Sequence, residues 1–309
     1  MTVMNHQKRG INIMVTVDWE GRDLSEENLK AMEDIRKEFP EIPYTHYLNA
    51  AYYTKADADA KETTSKTLRV LSDHDEHGLH LHAWRRLVEA SGVEFHPSPT
   101  FKNDCDDCSG DEDCGVGVPL WTYSREDLVK MLETSKKILK EQGFRPPVSF
   151  RSGGWMSAPE VTSALIDSGF KTDSSDVATY YVSRRWEGTN LDTWIKKFWG
   201  KSTEISQPYR QKQDHGSLWQ LVDNGALADY IDGPEMWQVI DNNMDALSEE
   251  AGSQGFVVVG FHTETAAKFL PRLRDFFRRV EAYNKGTPDL DLKFMTIHEA
   301  SCLLEQQLH

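Results

Sequence analysis

The stretch His74-Asp75-Glu76-His77-Gly78-Leu79-His80-Leu81-His82-Ala83-Trp84 places four histidines within nine residues. His80 and His82 are two apart, with apolar Leu79 and Leu81 interleaved. A strand alternates its side chains, so both imidazoles would project from one face. Two imidazoles on one face of a rigid element begin a divalent-metal site. The plainer alternative is a polar, His-rich turn entering a strand, and the cluster by itself does not choose between them. Four more places carry residues of the right chemistry. They are Asp18 and Glu20, Arg151, Asp173, and His262. Each has a structural alternative: solvated or helix-capping acids, a structural ion pair, a turn with Ser174 and Ser175, and a satisfied histidine at a strand end.

The elements that must position these residues follow from the hydrophobic pattern. Ile11-Asn12-Ile13-Met14-Val15-Thr16-Val17 reads as a buried first strand running into Asp18. Acids just past the C-terminal end of a parallel strand lie where barrel enzymes keep their chemistry. Asp23 followed by Glu26 predicts a capping box, opening a helix with Leu29, Met32, Ile35 and Phe39 at helical spacing. A second strand is predicted at Tyr44-Thr45-His46-Tyr47-Leu48, a helix over 56–71, and then the strand that carries His80 and His82. A helix with Leu128, Met131, Leu132, Ile138 and Leu139 on its apolar face follows, ending near Gly143. Val148-Ser149-Phe150-Arg151 is a strand, with a helix over 158–168 after it. Phe256-Val257-Val258-Val259-Gly260-Phe261 has the continuous apolar character of a strand buried on both faces. The stretch 176–251 has no clear period and is rich in Trp (Trp186, Trp194, Trp199, Trp219, Trp237). Those rings read as core or as a sugar-stacking surface.

Strand then helix repeats about seven times. This predicts an α/β chain with a parallel sheet and helices outside it, a distorted or incomplete (β/α) barrel of about seven strands. A doubly wound sheet is the runner-up. Residues 1–309 are expected to form one domain, with a Cys/Asp-rich loop insertion at about 85–120. Asp18, Glu20, His80, His82, Arg151, Asp173 and His262 all fall at C-terminal ends of predicted strands, and that shared placement says more than any single motif.

The chain has 35 Lys and Arg against 50 Asp and Glu, a net charge of −15. That argues against non-specific binding to nucleic acid or to an anionic membrane. No apolar run reaches the ~18 residues of a membrane span, and the polar start does not resemble a signal peptide, so a cytoplasmic location is the expectation. The oligomeric state is left open. Cys105, Cys108 and Cys114 lie in an acidic, Gly-containing segment. They read as free thiols on a surface loop, as a second metal site completed by His96 or an Asp, or as a disulfide, which a cytosolic setting disfavours.

Taken together, Thr16-Val17-Asp18-Trp19-Glu20-Gly21, His77-Gly78-Leu79-His80-Leu81-His82-Ala83-Trp84, Phe150-Arg151-Ser152-Gly153-Gly154-Trp155 and Gly260-Phe261-His262 resemble, in order, motifs of the polysaccharide deacetylases of carbohydrate esterase family four. The resemblance spans 11 to about 300. It implies a distorted (β/α) barrel, a divalent metal (zinc foremost) and hydrolysis of N- or O-acetyl groups on sugars. By position it implies Asp18 as catalytic base, Glu20, His80 and His82 as metal ligands, Arg151 orienting Asp18, and His262 as general acid. Trp84, Trp155 and Asp173 are expected at the substrate. Two departures stand out. Trp19 separates two acids that are adjacent in the family. The family's second motif histidine, four residues after His80, is replaced by Trp84, leaving His82, and less well His77, as substitutes.

The expected partner is therefore an acetylated sugar or polysaccharide. Two further classes fit the same residues: an amidohydrolase acting on a small non-sugar amide, and a carbohydrate-binding barrel that has lost catalysis.

Overall fold

The computed structural model describes residues 8–102, 113–286 and 290–307. Nine strands form one sheet: β1 (Gly10–Asp18), β2 (Tyr44–Leu48), β3 (Glu76–Leu81), β4 (Ser149–Ser152), β5 (Thr172–Asp173), β6 (Tyr209–Gln213), β7 (Gly216–Gln220), β8 (Gln254–His262) and β9 (Asp291–Met295). Their order is β6-β7-β5-β4-β3-β2-β1-β8, with β9 also beside β1. All pairings are parallel except the β6–β7 hairpin. Parallel strands need crossovers, and helices α1 (Glu26–Glu38), α2 (Ala60–Leu68), α3 (Arg85–Ala90), α4 (Arg125–Glu141), α5 (Pro159–Asp167), α6 (Thr179–Trp186), α7 (Asn190–Trp199), α8 (Gly233–Ala246), α9 (Ala266–Lys285) and α10 (Ile297–Gln306) lie between or after them.

The sheet curls into a distorted barrel, as the strand–helix alternation predicts. At the C-terminal end of the strands the gap between β5 and β8 is crossed by the irregular stretch 221–228, which continues from β7. Leu221 N donates to Asp173 O at 2.9 Å on one side, and Gly225 N donates to Val258 O at 2.8 Å on the other. Asn224 adds its side chain, giving Nδ2 to Phe256 O and accepting from Val258 N at Oδ1, each at 2.9 Å.

Packing divides by strand alternation. Ile11, Ile13, Val15 and Val17 of β1 face the helical layer, where they meet Leu29, Ile35, Phe276 and Phe277. Met14, Tyr47, Phe256 and Val258 face inward against Ile297, Ala300 and Leu304 of α10, which plugs the barrel at the end opposite the strand C-termini. That end is closed by this apolar packing together with Thr45 and Glu76, which accept from Ile297 N and His298 N, and Asp18, Glu20, His80, His82 and His262 gather at the other.

Some boundaries differ from the sequence reading. The first helix is capped by Ser25, which accepts from Asn28 N, and not by Asp23. The stretch over 85–120 opens with the short helix α3. The Trp-rich stretch resolves into α6, α7, the β6–β7 hairpin and α8. Of its tryptophans, Trp199, Trp219 and Trp237 are buried. Among the described residues, no helix is long and apolar enough to cross a membrane.

Candidate metal centre and catalytic site

Asp18 is the last residue of β1, and Thr16, Asp18 and Glu20 keep the period of two past the strand's end. Arg151 Nη1 reaches both Thr16 Oγ1, at 2.9 Å, and Asp18 Oδ1, at 3.1 Å. Trp19, between the acids, turns the opposite way. Its indole is 1 % exposed and donates from Nε1 to His46 Nδ1 at 3.1 Å. The interposed residue thus buries itself in the helical layer and leaves both carboxylates facing one centre.

His80 and His82 obey the same alternation on the neighbouring side, with Leu79 and Leu81 buried in the helical layer between them. His80 Nδ1 donates to Arg151 O at 3.0 Å, and His82 Nδ1 donates to Val116 O at 2.6 Å. Each carbonyl fixes its imidazole with hydrogen on Nδ1 and a lone pair on Nε2. Both lone pairs point at Glu20, with His80 Nε2 3.3 Å from Oε1 and His82 Nε2 2.9 Å from Oε2. His82 Nε2 is buried and has no hydrogen-bond partner. A carboxylate and two imidazole nitrogens brought this close are held together either by protons on Nε2 or by a cation among them. Glu20, His80 and His82 together are a three-ligand donor set for a divalent ion, with a face left open. Gly153 permits the packing: a Cβ there would stand 2.3 Å from the His82 ring.

The open face looks toward Asp18 and His262. His262, the last residue of β8, has Nε2 3.5 Å from Glu20 Oε1 and Nδ1 3.1 Å from Asp229 Oδ2. Burial alone would discharge this imidazole, but Asp229, with Glu20 and Asp18, outweighs it and pushes the pKa up to about 10. Burial likewise opposes the Glu20 carboxylate, yet the charge and N–H groups that His82 and His80 present to it when protonated hold it well below its ordinary range. Arg151 is buried between Asp18 and Asp223, 3.7 Å from the latter, and these carboxylates keep it firmly protonated against desolvation. Asp223 accepts from Trp155 Nε1 at 2.9 Å. Burial, opposed by Arg151, pushes its pKa up to about 6.

A cavity of about 290 Å³ lies in front of this centre. Trp155, Trp186, Tyr230 and Phe101 form much of its wall. Trp155 holds a left-handed backbone at φ 55°, a conformation non-glycine residues avoid without surrounding support. Trp84, expected at the substrate, is 4 % exposed and outside the lining. Its Nε1 donates to Glu20 O at 2.8 Å, so it holds the ligand's backbone. Asp173, also expected there, is fully buried beneath the site and accepts from Ser175. His77 sits near the start of β3, where its Nδ1 accepts from Arg145 N, while His74 is exposed. It is His82, not His77, that joins His80 in the cluster. Cys114 is disulfide-bonded, which removes its sulfur from any metal ligand set. His96 donates from Nδ1 to Thr122 O and stacks on Tyr123. Cys105 and Cys108 lie outside the described residues.

Asp223, Asp229 and Glu264 belong to the site but not to the sequence reading. The first lies within the closing stretch 221–228 and the second directly after it, where no period marks them. Glu264 follows His262 by two and could have been found from that spacing. It accepts from Tyr52 and Thr263, and burial, with Glu20 nearby, pushes its pKa up to about 7.

No protein-family model matches the chain, and no curated protein matches it by sequence. Solved structures do match. A Mycobacterium smegmatis protein assigned to the polysaccharide deacetylases aligns over 98 % of this chain and 92 % of its own, with TM-score 0.59 and 13 % identity. The chain has the polysaccharide deacetylase fold. Two enzymes of other names share it. PuuE allantoinase aligns over 94 % of this chain and 89 % of its own (TM-score 0.53, 12 % identity). A 4-alpha-glucanotransferase from Thermococcus litoralis aligns over 94 % of this chain but 40 % of its own (TM-score 0.50, 14 % identity). The deacetylase fold is therefore common to several reactions, and the reaction must be argued from the side chains.

Proposed function

We propose that the chain is a metal-dependent hydrolase that removes an acetyl group, N-acetyl foremost, from a sugar or polysaccharide. The observation that carries this reading is the convergence of Glu20, His80 Nε2 and His82 Nε2 on one point flanked by the Asp18–Arg151 and His262–Asp229 pairs. Hydrolysis of an amide needs an activated water, stabilisation of the oxyanion and a proton for the leaving amine. A divalent ion held by the three ligands, zinc foremost, supplies Lewis acidity for the first two tasks. Asp18 accepts the proton of the attacking water. Arg151 pairs with Asp18 and aims it. His262, held as an imidazolium by Asp229, donates the proton to the departing amine. Trp155, Trp186 and Tyr230 provide apolar faces for a sugar ring.

A second reading, hydrolysis of a small non-sugar amide, is favoured by the size of the cavity and by the fold shared with allantoinase.

Elemental analysis and an acetate assay on N-acetylated sugars test the proposal together. The purified protein is expected to carry about one equivalent of a divalent metal, and His80→Ala/His82→Ala to lose it. Asp18→Asn is expected to keep the metal and lose at least about 10²-fold in kcat. Normal turnover in either variant would sink the mechanism. Acetate release from no sugar, with the metal bound, would leave the non-sugar amide reading standing. A protein without metal that gains neither metal nor activity when zinc is supplied is a binding barrel.

A further inference from the structure

The chemistry above leaves one feature of the cavity unused. Arg22 from the β1–α1 connection, Lys102 from the loop after α3, and Arg185 from α6 all line it. The three cations reach its rim from separate segments, and each is exposed. In a chain with 50 acidic against 35 basic residues, an exposed Arg or Lys readily finds a carboxylate. Among the described residues, none of these three lies within ion-pair distance of one. Their neighbours are rings and backbone: Arg22 is 6.0 Å from the Trp84 ring, Lys102 5.8 Å from the Phe101 ring, and Arg185 5.5 Å from the Tyr230 ring. Arg185 also donates to Asp229 O at 3.4 Å.

The acids of the cavity are already engaged. Asp18 pairs with Arg151, Asp229 with His262, and Glu20 faces the two imidazoles. Glu264 accepts from the Tyr52 and Thr263 hydroxyls. Among the described residues, three cations therefore face one small space without a carboxylate in ion-pair contact, Arg185 lying nearest to Asp229, which His262 already engages. Clustered charge of one sign at a cleft concentrates ligands of the other sign. Two guanidinium forks match the paired oxygens of a carboxylate or a phosphate.

We propose that this rim selects a substrate bearing an oxyanion, carboxylate or phosphate, at the end away from its acetyl group. The inference rests on reading the site as a deacetylase centre. It narrows the substrate from any acetylated sugar to a small anionic one, of a size suited to a cavity of about 290 Å³. A neutral polymer would leave these charges without a counter-ion.

Calorimetry on the zinc-loaded protein tests it with three ligands that share one ring: N-acetylglucosamine, its 6-phosphate and its uronic acid. At least one charged ligand is expected to bind about 10- to 100-fold tighter than the neutral one. Whichever does so identifies the oxyanion. Arg22→Gln/Arg185→Gln is expected to remove most of that advantage. In the unmodified protein, added salt is expected to shrink it, which gives a reading even if the double variant is unstable. Equal affinity for all three ligands, or binding of none, overturns the proposal. So does a preference that survives the double variant, because the oxyanion then sits on the metal ligands. Acetate release measured in parallel separates this inference from the reading beneath it. A charge preference without acetate release sinks the deacetylase and keeps the anionic rim. Acetate release without a charge preference does the reverse.

Discussion

His262 Nδ1 lies 3.1 Å from Asp229, and that carboxylate offsets the burial that would discharge the imidazole. Asp229 also accepts from Thr265 Oγ1 at 2.7 Å, which fixes its orientation. Asp229→Asn keeps the shape and removes the charge. It is expected to lower kcat by about 10²-fold, the ordinary worth of a positioned acid, with metal content unchanged. Loss of metal in this variant would instead make Asp229 part of the metal site. The same scale explains Trp19. A residue inserted between two functional acids would normally rotate one of them away. Here the period of two carries Thr16, Asp18 and Glu20 to one face and commits Trp19 to the other, where its indole donates to His46.

At the scale of elements, the stretch 221–228 does two jobs. It spans the gap in the barrel, it delivers Asp223 behind Arg151, and it leads directly into Asp229 behind His262. Asn224 is central to it, because its amide bonds Phe256 O and Ser206 O and accepts from Val258 N. Asn224→Ala leaves buried backbone groups of β8 unpaired. It is expected to cost about 2–4 kcal/mol of stability in urea unfolding. Because the same stretch carries Asp223 and positions the adjoining Asp229, activity is expected to fall by more than the unfolded fraction alone accounts for. A loss below about 1 kcal/mol, within the range of an ordinary surface change, would mean the gap is closed by packing alone. The helices α6 and α7 form a separate apolar cluster with Trp155, Met156 and Trp199 above the barrel, and this cluster roofs the cavity.

For the molecule as a whole, several acids are buried away from solvent with few partners. Asp173 Oδ2 has no hydrogen-bond partner, and burial pushes its pKa up from 3.8 to about 7. The folded state therefore holds this proton when the unfolded chain has lost it. Its contribution is full below pH 3.8 and disappears as pH rises through about 7. Asp176 and Asp223, each pushed up to about 6, act in the same sense. His77 acts the other way: burial lowers its pKa from 6.5 to about 4, so its contribution disappears as pH falls through that interval. Between pH 8 and 6.5 His262, pushed up from 6.5 to about 10, acts in the same sense as Asp173 and Glu264, each pushed up to about 7, and together they outweigh His77. Stability is expected to rise on acidification across that window, with a slope of up to about 1.4 kcal/mol per pH unit for each proton taken up. Asp173→Asn, which cannot take up the proton, is expected to flatten the slope in urea titrations at the two pH values. An unchanged slope would assign the protons to other groups.

The one-dimensional pattern determined a good deal of this protein. Alternation in Val15-Thr16-Val17-Asp18 and in Leu79-His80-Leu81-His82 dictated which side chains share a face, because a strand permits only two. Strand–helix repetition dictated a parallel sheet, since parallel neighbours need long crossovers. Hence the barrel and the grouping of Asp18, Glu20, His80, Arg151 and His262 at one end were legible before any coordinates. What remained depended on contacts between residues distant in the chain. His82 and not His77 entered the cluster because β3 runs toward the site, leaving His77 near the far end. Trp84 and Asp173 lie outside the cavity because the turn after β3 and the shortness of β5 bury them. Asp223 and Asp229 had no local signal, because the closing stretch is neither helix nor regular strand and its course is set by β8 and β5 on either side. The uncompensated Arg22, Lys102 and Arg185 are ordinary surface residues in the sequence. Only the tertiary structure brings them around one opening, because two connections and the helix α6 meet there.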